Sequence, residues 1–202
     1  MKAGRTQAER RANAETSIIQ SAIELISAEG LDKLTLTKVA ERSGYSRYIP
    51  VHYYGRKSNL VAATAENLIA PFVSCRRKLQ NLERGLPRIA SLVESYIGEL
   101  GECPTRSSAT HIFVAAALTN SAVKEIIGPH TQDSISYISE EIAEGIKMGN
   151  VRADVDPVCS AVILLGFLRG INPLTLIHED IDLDDTKKEI LTWIDAYLSS
   201  RS

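Results

Sequence analysis

Between Pro157 and Ile171 the chain offers water almost nothing. Val158, Ala161, Val162, Ile163, Leu164, Leu165, Phe167 and Leu168 leave no broad polar stripe on a helix of this composition. Such a helix needs cover on two sides, so the fold requires several layers of helix. The most apolar part, Ala161 to Leu168, contains Gly166 and is expected to fall far short of a membrane span. With 202 residues, 44% of them hydrophobic, the chain is long enough to bury a core without disulfide or metal staples.

A second helix with surplus apolar surface is expected at about 184–199, where Ile190, Leu191, Ile194, Tyr197 and Leu198 share a stripe and Trp193 and Ala196 occupy an adjoining face. Two such helices, at about 157–171 and 184–199, predict a homodimer. The competing arrangement places both in one monomeric core.

Helical spacing also governs the N-terminal part. Ile18, Ile19, Ala22, Ile23 and Ile26 predict a helix capped by Thr16 or Ser17 and ended by Gly30. Thr35 can cap a short helix carrying Leu36, Val39 and Ala40, which Gly44 breaks. Ser46 can cap a third helix that closes at Gly55, and "RKSNLVAATAENLI" begins a fourth. Turn signals follow at Gly85-Leu86-Pro87, Gly101 to Pro104, Gly128-Pro129, Gly149-Asn150 and Asn172-Pro173. The expected fold is all-α with about nine helices and no strand ladder. It comprises a basic arm over 1–12, a three-helix helix-turn-helix head over 13–58 and a helical domain over 59–202.

Charge divides along the same line. Residues 1–60 carry 10 Lys+Arg against 6 Asp+Glu, whereas residues 61–202 carry 13 against 19, a net of +4 facing a net of -6. The basic end is therefore the one suited to phosphate, with Lys2, Arg5, Arg10 and Arg11 in the arm able to neutralise a nucleic-acid backbone. The arm has no following apolar run, so no secretory signal is expected and the cytoplasm is the expected compartment. Cys75, Cys103 and Cys159 are scattered, without a CxxC pair, and read as packing thiols rather than metal ligands. No GxSxG, GxxxxGK or HExxH motif is present, so neither an enzyme nor a cofactor is implied. Glu140, Glu141 and Glu144 share a helical spacing that reads as a solvated face.

The stretch "GLDKLTLTKVAERSGYSRYIPVHYYGRKSNLVAA" resembles the helix-turn-helix of the TetR-type transcriptional repressors. Thr35, Val39-Ala40, Gly44-Tyr45-Ser46, Tyr53-Tyr54 and Lys57 stand at the positions that carry the likeness. "GNVRADVDPVCSAVILLGFLRGI" is similar to that family's connection into its first dimerisation helix.

The resemblance implies that Thr35, Thr37 and Lys38 lie close to a DNA backbone, and that Lys57 reaches a phosphate across the groove edge. Ser46, Arg47, Tyr48, Ile49, Val51, His52 and Tyr53 belong to the reading helix and its backbone contacts. Arginine can donate to guanine, and apolar side chains can touch thymine methyls. The resemblance also implies a homodimer on a double-stranded DNA operator, a small-molecule effector and no membrane. Candidates for lining an effector pocket are Tyr96, Cys103, His111, Phe113, Tyr137 and Phe167, because aromatic walls with a few polar tips suit small molecules. The rival reading is a helical small-molecule binding or interaction protein that does not read DNA specifically.

Pro50 departs from the residues usual at its position. With Ser46 as the cap it would cost one helical hydrogen bond, whereas a start one residue later makes that cost vanish. The late start predicts a reshaped first turn in which Arg47 and Tyr48 lead into the groove and Ile49 turns inward. Downstream, Pro71 is expected to kink or end the fourth helix, which links the head to the rest.

Overall fold

The computed structural model describes residues 6–178 and 180–200, so Lys2 and Arg5 of the arm lie outside the described residues. The fold is the expected all-α one, with nine helices among the described residues. In chain order these are α1 (Gln7–Glu29), α2 (Leu36–Ser43), α3 (Tyr48–Tyr54), α4 (Lys57–Lys78), α5 (Leu86–Glu102), α6 (Pro104–Ala116), α7 (Ser121–Met148), α8 (Pro157–Ile177) and α9 (Leu183–Leu198). Short 3-10 turns at Leu31–Lys33 and Leu79–Asn81 follow α1 and α4.

Helix α1 starts well before Thr16, inside the stretch read as an arm. Thr6 and Glu9 form a capping box: the Thr6 hydroxyl accepts from the Glu9 amide at 3.2 Å, and the Glu9 carboxylate accepts from the Thr6 amide at 2.8 Å. Thr16 donates instead to the Ala12 carbonyl within the helix.

Three prolines lie inside helices rather than at their ends: Pro71 in α4, Pro129 in α7 and Pro173 in α8. The turns expected at Gly128-Pro129 and Asn172-Pro173 are therefore absent. An internal proline removes one amide donor and frees the carbonyl four residues earlier. For Pro71 that carbonyl is Asn67, and it accepts from Arg106 Nη1 at 2.9 Å, so α4 runs through without an orphaned acceptor. Pro129 and Glu125 are both exposed, which gives the freed carbonyl of that turn access to water. A turn that sequence signals missed separates α6 from α7, where the Asn120 side chain caps α7 by accepting from the Val123 amide at 3.2 Å.

Two apolar cores result. The first joins Ile18, Ile23 and Ile26 of α1 with Val39 of α2 and Leu60, Ala65 and Leu68 of α4, and continues into Phe113 of α6 and Val123 and Ile127 of α7. The head is thus packed on residues from beyond the expected boundary at 58/59. The second gathers Ile89, Val93 and Ile97 of α5, Ile138 and Ile142 of α7, Leu164 and Leu168 of α8 and Ile190, Ile194 and Leu198 of α9. At 21 residues, α8 is long and apolar enough by length and composition to cross a membrane, contrary to expectation, because the apolar run continues to Ile177. Here one face of α8 fills the second core, while Val158, Val162, Ile163 and Phe167 are exposed.

Glu141 is a second correction, being only 3% exposed rather than part of a solvated face. It accepts from Arg84 Nη2 at 3.0 Å, Arg88 Nη1 at 3.2 Å and the Gly85 amide at 3.2 Å, tying the α4–α5 loop to α7. Gly85 has φ +87°, and a Cβ there would lie 2.6 Å from the Gly145 Cα, so the loop passes flush against α7. Partners more than fifty residues away made this carboxylate's role invisible to local spacing. Burial alone would raise its pKa, but hydrogen bonds from Arg84 and the Gly85 amide outweigh that and hold the carboxyl below its ordinary range. A folded-state value below the unfolded one means that this stabilisation is fully present above about pH 4.3 and is lost as pH falls through the folded value. Glu141→Gln is expected to cost about 2 kcal/mol at pH 7. In denaturant unfolding across pH, the gap from the parent chain should narrow below about pH 4; a constant gap down to pH 3 would contradict this account.

Candidate nucleic-acid interface and ligand cavity

The head is built by caps and tight turns. Thr35 is extended (φ -139°, ψ 152°), and its hydroxyl accepts from the Lys38 amide at 3.1 Å to start α2; Gly44, at φ 74°, ends it in the left-handed region. The next helix begins late. Arg47 occupies the cap position with helical angles (φ -56°, ψ -24°), Tyr48 is the first residue of α3, and Pro50 is the third. Pro50 lies in the first turn, so the proline forfeits at most one bond, to the Ser46 carbonyl. The Ser46 carbonyl accepts from the Ile49 amide at 3.0 Å. Ser46 provides no side-chain cap. Pro50 itself is buried, and Ile49, half-buried, packs on the first core with Tyr53 and Tyr54.

Arg47, Tyr48, Val51 and His52 are left outward, with Tyr48 67% and Val51 46% exposed. Tyr48 and His52, one turn apart, stack with ring centroids 5.5 Å apart. Ile49 thus leaves the outward set.

The flanking cations already hold local partners. Lys38 pairs with Glu29, Arg47 Nη2 lies 3.1 Å from Glu41, and Arg11 Nε lies 3.0 Å from Glu15. Arg11 also sits over the Tyr53 ring at 5.8 Å. Lys57 Nζ donates to the Asp32 carbonyl at 2.9 Å. Exposed pairs of this kind contribute about 0–1 kcal/mol each, little enough for a phosphate to displace. Arg42, which sequence reasoning passed over, adds a cation in the last turn of α2, paired with Glu24 at 3.3 Å. Thr37 and Arg10 are exposed, and Arg10 has no ion pair among the described residues.

A cavity of about 150 Å³ lies between α4, α5, α6, α7 and α8. Of the expected lining residues, Tyr96 and His111 face it. Tyr137 stands beside it beneath the Arg76 guanidinium, 4.9 Å from ring centre to Cζ, with its hydroxyl buried and unpartnered. The other candidates do not line it. Cys103 sits at the α5–α6 junction, Phe113 is 1% exposed within the first core, and Phe167 lies outside against Trp193 with ring centroids 5.6 Å apart.

Sequence spacing missed Phe72 and Arg76 of α4 and Arg169 and Asn172 of α8, all on the wall. The available signal was a charge interrupting an apolar helix, as in "FLRGI". Asn172 is 3% exposed; its Nδ2 donates to the Ser107 carbonyl at 2.9 Å, and its Oδ1 has no partner. Burial raises the Tyr96 phenol to about 12, partly offset by Arg169, and lowers both the Arg76 and Arg169 guanidinium pKa values.

A second, open groove of about 420 Å³ runs between α8 and α9, lined by Ile163, Phe167, Trp193 and Tyr197 among others. It coincides with the exposed apolar surface of these helices. Cys159, expected to pack inside, is exposed near the start of α8, while Cys75 and Cys103 are half-buried.

The overall likeness to solved structures is strong. A TetR transcription regulator from Haloarcula marismortui superposes with a TM-score of 0.80 at 21% identity, covering 93% of this chain and 100% of that one. SmeT, in a complex with triclosan, gives 0.78 at 21%, covering 93% and 92%. AibR, in complex with isovaleryl coenzyme A and operator DNA, gives 0.75 at 15%, covering 88% and 96%. The chain therefore has the fold of the TetR-type regulators. In sequence it is 38% identical over 52 residues to YvdT of Bacillus subtilis, an uncharacterized HTH-type transcriptional regulator, and the match spans about a quarter of each protein (26% and 27%). No family model matches the chain.

The position of Pro50 gives a test with a definite sign. A proline inside a helix would be relieved by alanine to the extent of about 3 kcal/mol. At the third position, with its ring buried, Pro50→Ala should instead lower stability by about 0.5–1 kcal/mol, because the alanine chain has more unfolded freedom to lose. Urea unfolding reads the difference, and a stabilised variant would contradict the late start.

Proposed function

We propose that the chain is a ligand-responsive, DNA-binding transcription regulator, acting as a repressor that a small-molecule effector releases from a pseudo-palindromic operator. The outward face of α3 carries this reading. Its exposed Arg47, Tyr48, Val51 and His52 stand on a helix fixed from behind by Pro50, Ile49 and the capped α2, a geometry suited to the major groove. Thr35, Thr37, Lys38 and Lys57 flank that face and supply backbone contacts, with Ser46 and Tyr53 at its edges. The presence of both operator DNA and an acyl-coenzyme A in the AibR complex supports pairing the two activities on this fold. A regulator of this kind acts in the cytoplasm, without chemistry of its own.

Helix α4 provides the coupling. Leu60, Val61, Ala65 and Leu68 lock its first half into the head core, and Ile69, Phe72, Val73 and Arg76 wall the cavity. A ligand that shifts the cavity half moves the head, changing the spacing of two heads in a dimer and so the affinity for paired half-sites.

Random duplex DNA at low salt is the first test, read by fluorescence anisotropy. Binding should weaken with salt, and Arg47→Ala with Lys57→Ala should reduce the slope of log K against log salt by about 2, one for each phosphate left without its cation. Failure to bind duplex at low salt would favour the rival, a helical binding protein that does not read DNA.

Dimerisation is proposed through the exposed faces of α8 and α9. Phe167→Glu with Trp193→Glu, both at exposed positions, should yield a folded monomer by sedimentation, because a carboxylate cannot be buried unpaired in an apolar interface. A parent chain that sediments as a monomer at micromolar concentration would remove this part of the proposal.

A further inference from the structure

The cavity has an apolar body and a cationic end whose charge the protein leaves unanswered. Arg76 and Arg169, on α4 and α8, are half-buried lining residues, and neither forms an ion pair with a carboxylate among the described residues. Their partners are neutral. Arg76 Nη2 donates to Ser134 Oγ at 2.8 Å and Nη1 to the Asp133 carbonyl at 3.4 Å, while Arg169 Nη2 donates to Thr131 Oγ1 at 3.0 Å. Thr131 and Ser134 are one turn apart on α7, so the two guanidinium groups are anchored to neighbouring points on one helix face. Arg76 Nε is buried and has no acceptor at all.

A guanidinium is permanently charged and carries five donors, and burying it without an anion is unfavourable. Asp133 is the one carboxylate among the described lining residues; it is exposed, its carbonyl accepts from Arg76, and its charge favours the Arg76 cation only through space, without an ion pair. Elsewhere the same chain pairs its arginines fully, as Arg84 and Arg88 do on Glu141. The remaining walls are largely apolar, with Phe72, Leu92, Ile138 and Leu168 among them. At about 150 Å³ the space matches a benzene-sized group rather than a long chain.

We propose that this cavity takes a small organic monocarboxylate, its apolar body against Phe72, Leu92 and Leu168 and its carboxylate held by the guanidinium groups of Arg76 and Arg169. The assignment rests on reading the cavity as the effector site. The planar fork of an arginine matches a carboxylate in two parallel hydrogen bonds, and two such groups on different helices would draw α4 and α8 together around the anion. Burial of both guanidinium groups, which disfavours their charge, is offset by the same anion.

Calorimetric titration of the full chain with benzoate, benzamide, benzylamine and phenyl phosphate at fixed ionic strength tests this without DNA. Benzoate should bind at least about tenfold more tightly than benzamide, the loss expected for one charge-assisted hydrogen bond, and benzylamine should not bind. Arg76→Gln and Arg169→Gln should each weaken benzoate by about tenfold to a hundredfold while leaving benzamide little changed. Equal affinity for acid and amide overturns the proposal, and so does the absence of benzoate binding. Phenyl phosphate binding more tightly than benzoate replaces the carboxylate with a dianion and overturns it as well. Should either variant fail to fold, the acid-to-amide ratio on the parent chain decides alone. Duplex binding is scored separately: a chain that binds DNA but no carboxylate refutes only this inference, and one that binds benzoate but no DNA refutes only the regulator reading.

Discussion

One hydrogen bond braces the helix that carries both the head and the cavity wall. Pro71 would ordinarily leave the Asn67 carbonyl without a partner and give α4 cause to bend or stop, but Arg106 reaches across from α6 and donates to it, with a second bond to the Asn67 side chain at 3.0 Å. Helix α4 continues through that proline for 22 residues, with its first half in the head core and its second half in the cavity wall. The same guanidinium lies 3.9 Å from Glu99 of α5, so the brace also joins α5 and α6.

The opposite end of α4 is fastened with equal firmness. Glu141 gathers Arg84, Arg88 and the Gly85 amide, and Asn150 adds two further bonds to the same loop, accepting from the Leu86 amide and donating to the Arg84 carbonyl. A loop that carries this many long-range hydrogen bonds is a fixed post rather than a hinge.

Periodicity and caps made most of the helical order legible: Thr35, Gly44, Gly55, Gly85 and Gly149 mark real boundaries because each works through its own backbone within a few residues. Pro129 and Pro173 misled, and Pro71 does not end α4, because a proline's effect depends on who satisfies the freed carbonyl, and Arg106 is 39 residues from Asn67. Glu141 and the two cavity arginines escaped for the same reason. Their meaning lies in partners, or in missing partners, that only the fold brings within reach. Aromatic residues were a poor guide to the cavity, since Phe113 and Phe167 do what large apolar side chains usually do: one fills a core, the other caps an exposed apolar face.

The distribution of unsatisfied charge separates the two candidate sites. On the head, Lys38, Arg42 and Arg47 are matched by Glu29, Glu24 and Glu41 in exposed pairs that a stronger anion can displace. Exchange there is inexpensive because water solvates both partners as they part. In the cavity, Arg76 and Arg169 are half-buried and hydrogen-bonded to neutral acceptors, so their charge has no carboxylate to trade away. A polyanion such as a DNA backbone suits the first arrangement, where many weak pairs are traded for many contacts and affinity follows salt. A single small anion suits the second, where desolvated donors discriminate by charge and geometry. The two recognition tasks in the proposed function therefore call for opposite electrostatic designs, and the chain places one at each end of α4.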